Sequence, residues 1–110
     1  MTNDRKPRVY VTQYSDKLNF AKAEHFGEVH FLTDREYRPL PCPPGTNTSV
    51  RHDIKRNMAD YIPGIDYIVT TGSALPNILA GIEMASIPGK HQILKWNGRM
   101  NGYQKYQIEV

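Results

Sequence analysis

The sequence predicts an α/β fold in which helices pack on a mixed, largely parallel sheet with a C-terminal β-hairpin. Segments with strand patterns alternate with segments of helical periodicity, an order typical of parallel strands joined by right-handed crossovers. The last two strand segments are separated by a short loop that contains two Asn-Gly pairs, which favours an antiparallel hairpin. A chain of 110 residues has room for one hydrophobic core. We therefore expect a single domain over residues 8–110, after a polar leader at 1–7 whose order the sequence leaves open.

The first half of the chain contains two predicted strands and a long loop. Residues 8–13 alternate apolar and polar side chains, as a strand does. Asn19 is a candidate cap for a short helical turn, which Gly27 is expected to end in a left-handed conformation. Residues 28–33 form the second predicted strand. The segment 34–47 is rich in proline and glycine and predicts a loop.

Two helices are predicted around the third strand. The first begins at Thr48 or Ser49, has one apolar and one basic side, and ends at Pro63-Gly64. The apolar run 65–71 predicts a strand that is buried on both faces. The second helix, 74–87, is apolar on all sides and has Glu83 as its only charged residue. Because one sheet cannot cover so much apolar surface, we expect homo-oligomerisation through residues 74–87.

The C-terminal part of the chain predicts the hairpin. Residues 91–96 form the fourth strand, and residues 103–110 alternate in the manner of a fifth. The chain returns between them over only a few residues, which favours direct pairing of the two strands.

Composition limits the classes of function. A formal charge of +3 with 39% apolar residues is typical of a soluble protein with a mild basic bias, and it is weaker than expected of a dedicated duplex-DNA binder. The single cysteine, Cys42, excludes an intramolecular disulfide and favours a reducing compartment. The polar N-terminus has no signal core, and no segment is long and apolar enough to cross a bilayer, so we expect a cytoplasmic protein.

The strand ends supply the candidate ligand-binding residues. Ligands of open α/β sheets collect beyond the carboxyl ends of parallel strands. There, Gly72 offers close backbone approach and Ser73 a probable N-cap, at a helix start that can hold an anion. A turn that needs only a positive φ at Gly72 and a cap at Ser73 explains these two residues equally well. The full candidate set is Gln13, Tyr14, Thr71, Gly72, Ser73, Lys95, Trp96, Asn97 and Arg51.

These candidates suit a ligand with a phosphate, a sugar and a flat base, because they combine hydroxyl, amide, cationic and aromatic groups. Motifs for catalysis are missing: the chain has no P-loop, no GxSxG, no HExxH and no paired-cysteine metal site. Its four histidines show no ligand spacing, and its carboxylates are dispersed. We therefore favour binding over catalysis and expect no catalytic residue, no metal and no cofactor.

Three stretches carry a family resemblance: Val9-Tyr-Val-Thr-Gln, Asn19-Phe-Ala-Lys-Ala-Glu-His-Phe-Gly-Glu and Ile93-Leu-Lys-Trp-Asn. With them the chain resembles a family of small bacteriophage-encoded α/β proteins that have a C-terminal Leu-Lys-Trp-Asn or Leu-Lys-Trp-Asp strand, over nearly the full length. The resemblance carries no enzymatic activity over to this chain. By analogy of class, it implies a phage accessory protein in the host cytoplasm that binds a nucleotide-like ligand, for instance to sequester a nucleotide signal of bacterial immunity.

Three alternatives remain at the level of the sequence. The chain could be a protein-binding inhibitor of a host enzyme that uses the loop 34–47 and the basic face of the first helix. It could be a nucleic-acid-binding accessory protein, which its net charge permits. It could also be a small enzyme whose site is assembled from distant residues. The sequence does not identify the ligand, the host target or the size of the oligomer.

Overall fold

A computed structural model describes residues 5–16 and 19–110. The elements are β1 (Arg8–Val11), a 3₁₀ segment (Ala21–His25), β2 (Glu28–Phe31), α1 (Thr46–Asn57), β3 (Tyr67–Val69), α2 (Ala74–Ala85), β4 (Lys90–Asn97) and β5 (Gly102–Glu109). The sheet order is β2-β1-β3-β4-β5. The first four strands are parallel, and β5 pairs antiparallel to β4. The predicted fold class is therefore confirmed, including its C-terminal hairpin.

The sheet separates two apolar clusters, because successive side chains of a strand point to opposite faces. The helix-side cluster joins α1 and α2 to one face of the sheet and contains Tyr10, Leu32, Val50, Ile54, Met58, Tyr61, Ile68, Leu79, Ala80, Met84 and Ile93. The aromatic-side cluster on the other face contains Val9, Val11, Ala23, Val69 and Leu94, with partly buried aromatic rings around them. Both faces of β3 are thus buried, as its continuous apolar sequence predicts.

Asp66, directly before β3, connects three segments of the chain by hydrogen bonds. Its carboxylate is fully buried and accepts the main-chain N–H of Arg8 at 2.9 Å and of Ile62 at 2.8 Å. Arg5 adds an ion pair at 2.6 Å. Residues 1–4 of the predicted leader lie outside the described residues, whereas Arg5 is anchored to the domain through this contact.

A buried polar pair links the segment after α1 to β4. The Tyr61 hydroxyl donates to Nδ1 of His91 at 2.6 Å, and Nε2 of the same ring donates to the Ile87 carbonyl at 2.7 Å. Burial raises the pKa of Tyr61, and the charge of Asp66 adds to this effect. The hydroxyl therefore keeps its proton as the donor to His91, whose side chain has no exposed surface.

The predicted limits of the first helix are wrong at both ends. α1 begins at Thr46 after Gly45, which has a φ of 86°, and it ends at Asn57 rather than at Pro63-Gly64. After Asn57 the chain continues in tight turns, in which the Ala59 N–H donates to the Arg56 carbonyl and the Tyr61 N–H to the Met58 carbonyl. The Asp66 carboxylate then binds the N–H of Ile62.

α2 exposes part of its apolar surface, as its sequence predicts. Leu75, Ile78 and Ile82 are 43%, 56% and 50% exposed, whereas Leu79, Ala80, Met84 and Pro76 are buried. Glu83 pairs with Arg51 of α1 at 2.9 Å, which joins the two helices. Homo-oligomerisation through residues 74–87 stays a prediction. Among the described residues, no helix is both long enough and apolar enough to span a membrane.

The 3₁₀ segment follows the sequence prediction at its start and departs from it at its end. Asn19 Oδ1 accepts the N–H of Ala21 at 2.8 Å, which is the expected capping contact. Gly27 is not left-handed, so its predicted role as a helix stop is wrong. The reason for glycine is steric, since a Cβ at this position would lie 2.4 Å from the carbonyl oxygen of Pro7.

We expect Gly27→Ala to lower the free energy of unfolding by about 1–3 kcal/mol, because its Cβ would push Pro7 away and break the hydrogen bond from the Glu28 N–H to the Pro7 carbonyl. The matched control is Gly81→Ala in α2, where a Cβ meets nothing within 4 Å. That substitution should be neutral or stabilising by up to about 1 kcal/mol, because alanine favours the helix. Urea unfolding followed by circular dichroism measures both variants, and equal stability of the two would contradict the steric explanation.

Candidate functional site

The sheet order creates a topological switch point between β1 and β3. From β1 the chain moves to β2 on one side, and from β2 it returns to β3 on the other. The 3₁₀ segment packs against the aromatic-side cluster, while α1 and α2 cover the opposite face. The segments that follow β1 and β3 therefore diverge at the carboxyl ends of these strands. Open α/β sheets bind their ligands at such points.

A cleft of about 620 Å³ opens beside this switch point. One wall consists of the ends of β3 and β4, with Thr70, Thr71, Gly72, Lys95 and Trp96. The other wall consists of the chain before and within the 3₁₀ segment and of the hairpin, with Asn19, Phe20, Lys22, Asn101 and Tyr103. Pockets for small organic ligands measure about 300–1,000 Å³, so this cleft has the volume for one.

The cleft combines exposed aromatic surface with positive charge. Trp96 is 43% exposed and meets the ring of Tyr103 edge-on, with centroids 5.2 Å apart. The Lys22 ammonium lies 5.8 Å from the centroid of the Trp96 ring and donates to the Asn101 carbonyl. Lys95 also lines the cleft, and none of the described lining residues is acidic. This arrangement favours an anionic ligand with a flat ring.

The turn from β3 into α2 is held by Asn77, which the sequence analysis missed. Its Oδ1 accepts the Thr12 hydroxyl at 2.6 Å and the Thr71 N–H at 3.2 Å, and its Nδ2 donates to the Thr71 carbonyl at 2.7 Å. Ser73 occupies the N-cap position, but its side chain makes no capping hydrogen bond. The predicted N-cap position of Ser73 is therefore confirmed, whereas the side chain that fastens the junction is that of Asn77.

Gly72 lies in the cleft wall without a conformational need for glycine. Its φ is not positive, and a Cβ at this position would meet no atom within 4 Å. The simple structural explanation of this glycine, a left-handed turn, is therefore wrong. The open space in front of Gly72 is consistent with close approach of a ligand to the main chain.

Four of the predicted site residues meet in the cleft: Thr71, Gly72, Lys95 and Trp96. The other five have contacts elsewhere. Gln13 donates to the Arg35 carbonyl, and Asn97 Oδ1 accepts main-chain N–H groups of the hairpin turn. Tyr14 packs edge-on against Phe31, Ser73 lies at the start of α2, and Arg51 is paired with Glu83.

The basic side of α1 is largely engaged within the protein. Arg35 and Arg56 both contact the buried carboxylate of Asp53, at 3.4 Å and 3.0 Å. Asp53 also accepts the Thr33 hydroxyl at 3.0 Å. These ion pairs reduce the positive charge available to a phosphate there. In the part of the chain that the structure describes, no three histidine, cysteine or acidic residues are grouped so as to hold a metal ion.

One of the missed cleft residues has a signal in the sequence. Pairing of the two hairpin strands places Tyr103 directly opposite Trp96. The predicted hairpin implies this neighbour once its register is known. Phe20 and Lys22 have no such signal, because the sequence does not show which face of the sheet the 3₁₀ segment covers.

A family model described as Phage Pam3 gp32-like protein matches residues 7–110. The matched range includes every helix and strand of the structure. No curated protein and no solved structure matches the chain.

Proposed function

The chain belongs to the Phage Pam3 gp32-like protein family, and from this premise we propose that it is a non-enzymatic phage accessory protein that binds a nucleotide-like ligand. The observation that carries the proposal is the cleft beside the β1/β3 switch point, where an exposed indole ring lies beside the Lys22 ammonium group and Lys95 is a further lining residue. A nucleotide has complementary parts, namely a flat base and a charged phosphate. By holding a nucleotide signal of bacterial immunity in the host cytoplasm, the protein would act against host defence.

Each part of such a ligand has a counterpart in the cleft. The base stacks on Trp96, whose indole offers an exposed aromatic surface. The phosphate lies near Lys95 and Gly72, where an ammonium group and an unobstructed main chain can approach it. The sugar lies against Thr70 and Thr71, and the Thr71 hydroxyl already contacts the Thr12 hydroxyl and the Ser73 N–H. No residue here has to act as an acid, a base or a nucleophile.

The proposal is tested with titration calorimetry and native mass spectrometry against linear mononucleotides and cyclic dinucleotides. We expect saturable binding of at least one nucleotide to the wild type, with its mass unchanged after release. Trp96→Ala should weaken this binding about 10- to 100-fold, because stacking on an aromatic side chain contributes about 1–3 kcal/mol per base. Lys95→Glu should weaken it at least about tenfold, because it removes a charge-assisted contact.

Lys55→Glu is the matched control for Lys95→Glu. It makes the same change of net charge at an exposed position of α1 that does not line the cleft. Equal losses in both variants would point to a general charge effect and contradict the site. If the wild-type protein binds none of the tested nucleotides, the proposal of nucleotide binding is wrong. If a nucleotide is released in a chemically altered form, the protein is an enzyme.

The loop before α1 supports the second candidate, a protein-binding inhibitor of a host enzyme. Leu40 is 83% exposed, although Asn47 fastens the loop by two hydrogen bonds to the main chain of Arg38. Insertion of this leucine into a pocket of another protein would remove its apolar surface from water. Loss of a host-enzyme complex in Leu40→Ser but not in Trp96→Ala would favour this candidate. If the protein instead binds nucleic acid, and this binding weakens steeply with salt, the result would favour a nucleic-acid-binding accessory protein.

A further inference from the structure

β5 forms a long open edge of the sheet. Within the described part of the chain, it has a neighbouring strand on one side only. It is eight residues long, whereas β2 at the opposite edge has four. Tyr106 and Ile108 of β5 lie on the face of the sheet that carries α1 and α2, and they are 48% and 53% exposed. Proteins ordinarily keep exposed edge strands short or charged, so a long edge with exposed apolar residues is a surface for strand pairing.

The hydrogen-bond pattern of the hairpin shows which residues face the open edge. Gly89 and Val110 exchange both main-chain hydrogen bonds, N–H to carbonyl in each direction. Because such pairs alternate along an antiparallel ladder, residues 102, 104, 106 and 108 also direct their N–H and carbonyl groups toward β4. Tyr103, Lys105, Gln107 and Glu109 therefore direct theirs outward, where a further strand would bind them.

In one antiparallel register of two copies of β5, opposite charges lie opposite each other. With a two-fold axis through Gln107, Lys105 lies opposite Glu109 of the second copy, and Gln107 lies opposite itself. Lys105, Gln107 and Glu109 then all form hydrogen-bonded pairs. An axis through Lys105 would instead place two like charges opposite each other, and an axis through Tyr106 or Ile108 would pair neither charge with its opposite.

The same register pairs the exposed apolar residues. Tyr106 then lies opposite Ile108 of the second copy, on the face that carries α1 and α2, so each covers the other. Aromatic and β-branched residues stabilise each other in such cross-strand pairs. The paired segment covers residues 104–110 and leaves out Tyr103, so the cleft remains open.

We propose that β5 pairs antiparallel with β5 of a second copy, about a two-fold axis at Gln107, to form a continuous ten-stranded sheet. The partner is this chain itself, because the edge is complementary to its own sequence. This surface differs from residues 74–87 and is independent of the proposed ligand. Each dimer carries two separate clefts.

Analytical ultracentrifugation of the whole chain over a series of concentrations tests the proposal. We expect a wild-type dimer. Lys105→Glu should raise its dissociation constant about tenfold or more, because it places like charges opposite each other in both symmetric pairs. The double variant Lys105→Glu/Glu109→Lys should recover the wild-type constant. Gln107→Pro should give a monomer, because it removes an outward N–H that β4 does not use.

Circular dichroism establishes that each variant is folded, and Ile82→Lys on α2 is the matched control for the other apolar surface. A dimer lost in Gln107→Pro, kept in Ile82→Lys and rescued by the charge swap supports the proposal. A wild-type monomer at every concentration overturns it. A dimer that persists in Gln107→Pro but is lost in Ile82→Lys also overturns it and assigns the interface to α2.

Discussion

Asp66→Ala is expected to lower the free energy of unfolding by about 3–5 kcal/mol, as is typical when one partner of a buried ionic network is removed. The carboxylate has no exposed surface and accepts two main-chain N–H groups, those of Arg8 and Ile62. Alanine leaves both donors without their acceptor, and each buried unpaired donor costs about 1–3 kcal/mol. Chemical denaturation at neutral pH measures the loss.

Two further variants separate the hydrogen bonds of Asp66 from its charge. Arg5→Ala removes the ion pair but leaves both N–H contacts, so we expect a smaller loss. Asp66→Asn preserves the size of the side chain but replaces one acceptor by a donor, so we expect an intermediate loss. If Asp66→Ala costs no more than Arg5→Ala, the two N–H contacts do not stabilise this part of the fold as we infer.

Asn77→Ala is expected to lower the free energy of unfolding by about 2–3 kcal/mol and to weaken ligand binding in the cleft as well. The side chain makes three hydrogen bonds that join the ends of β1 and β3 to α2, including one from the fully buried Thr12. Without them, Thr71 loses partners for both its N–H and its carbonyl, each worth about 1 kcal/mol. Because Thr71 lines the cleft, the wall itself should loosen.

Asn57→Ala is the matched control for Asn77→Ala. Asn57 also reaches from a helix to the end of a strand, where it donates to the Leu32 carbonyl at 2.8 Å, but it does not line the cleft. We expect a loss of about 1 kcal/mol for this single hydrogen bond, with unchanged binding. Titration calorimetry and urea unfolding of both variants distinguish the cases. Equal binding by wild type and Asn77→Ala would show that the turn does not shape the site.

The order of the elements could be predicted from the sequence because hydrophobic periodicity is a local signal. The hairpin and the exposed apolar side of α2 follow from such patterns. The end of α1 could not be predicted in this way, because the helical spacing of apolar residues continues to Tyr61 and Ile62 although the helix ends at Asn57. The role of Gly27 could not be predicted either, because its close neighbour Pro7 is distant in the chain.

The sequence predicts that the candidate site lies at the strand ends, but it does not predict on which face of the sheet. Gln13 and Tyr14 follow β1 directly, yet their side chains contact Arg35 and Phe31 rather than the cleft. Lys22 comes later in the same connection and does reach it. The side of the sheet on which such a connection passes depends on tertiary packing, which neither propensity nor spacing records.

The two apolar clusters have a consequence for how the family can diversify. The cleft wall shares Phe20, Val69 and Tyr103 with the aromatic-side cluster, whereas the helices pack into the other one. Mutations that reshape the cleft therefore act on one side of the sheet and leave the larger helical core intact. With the proposed function, substitutions that change ligand specificity would therefore leave the packing of α1 and α2 on the sheet unchanged.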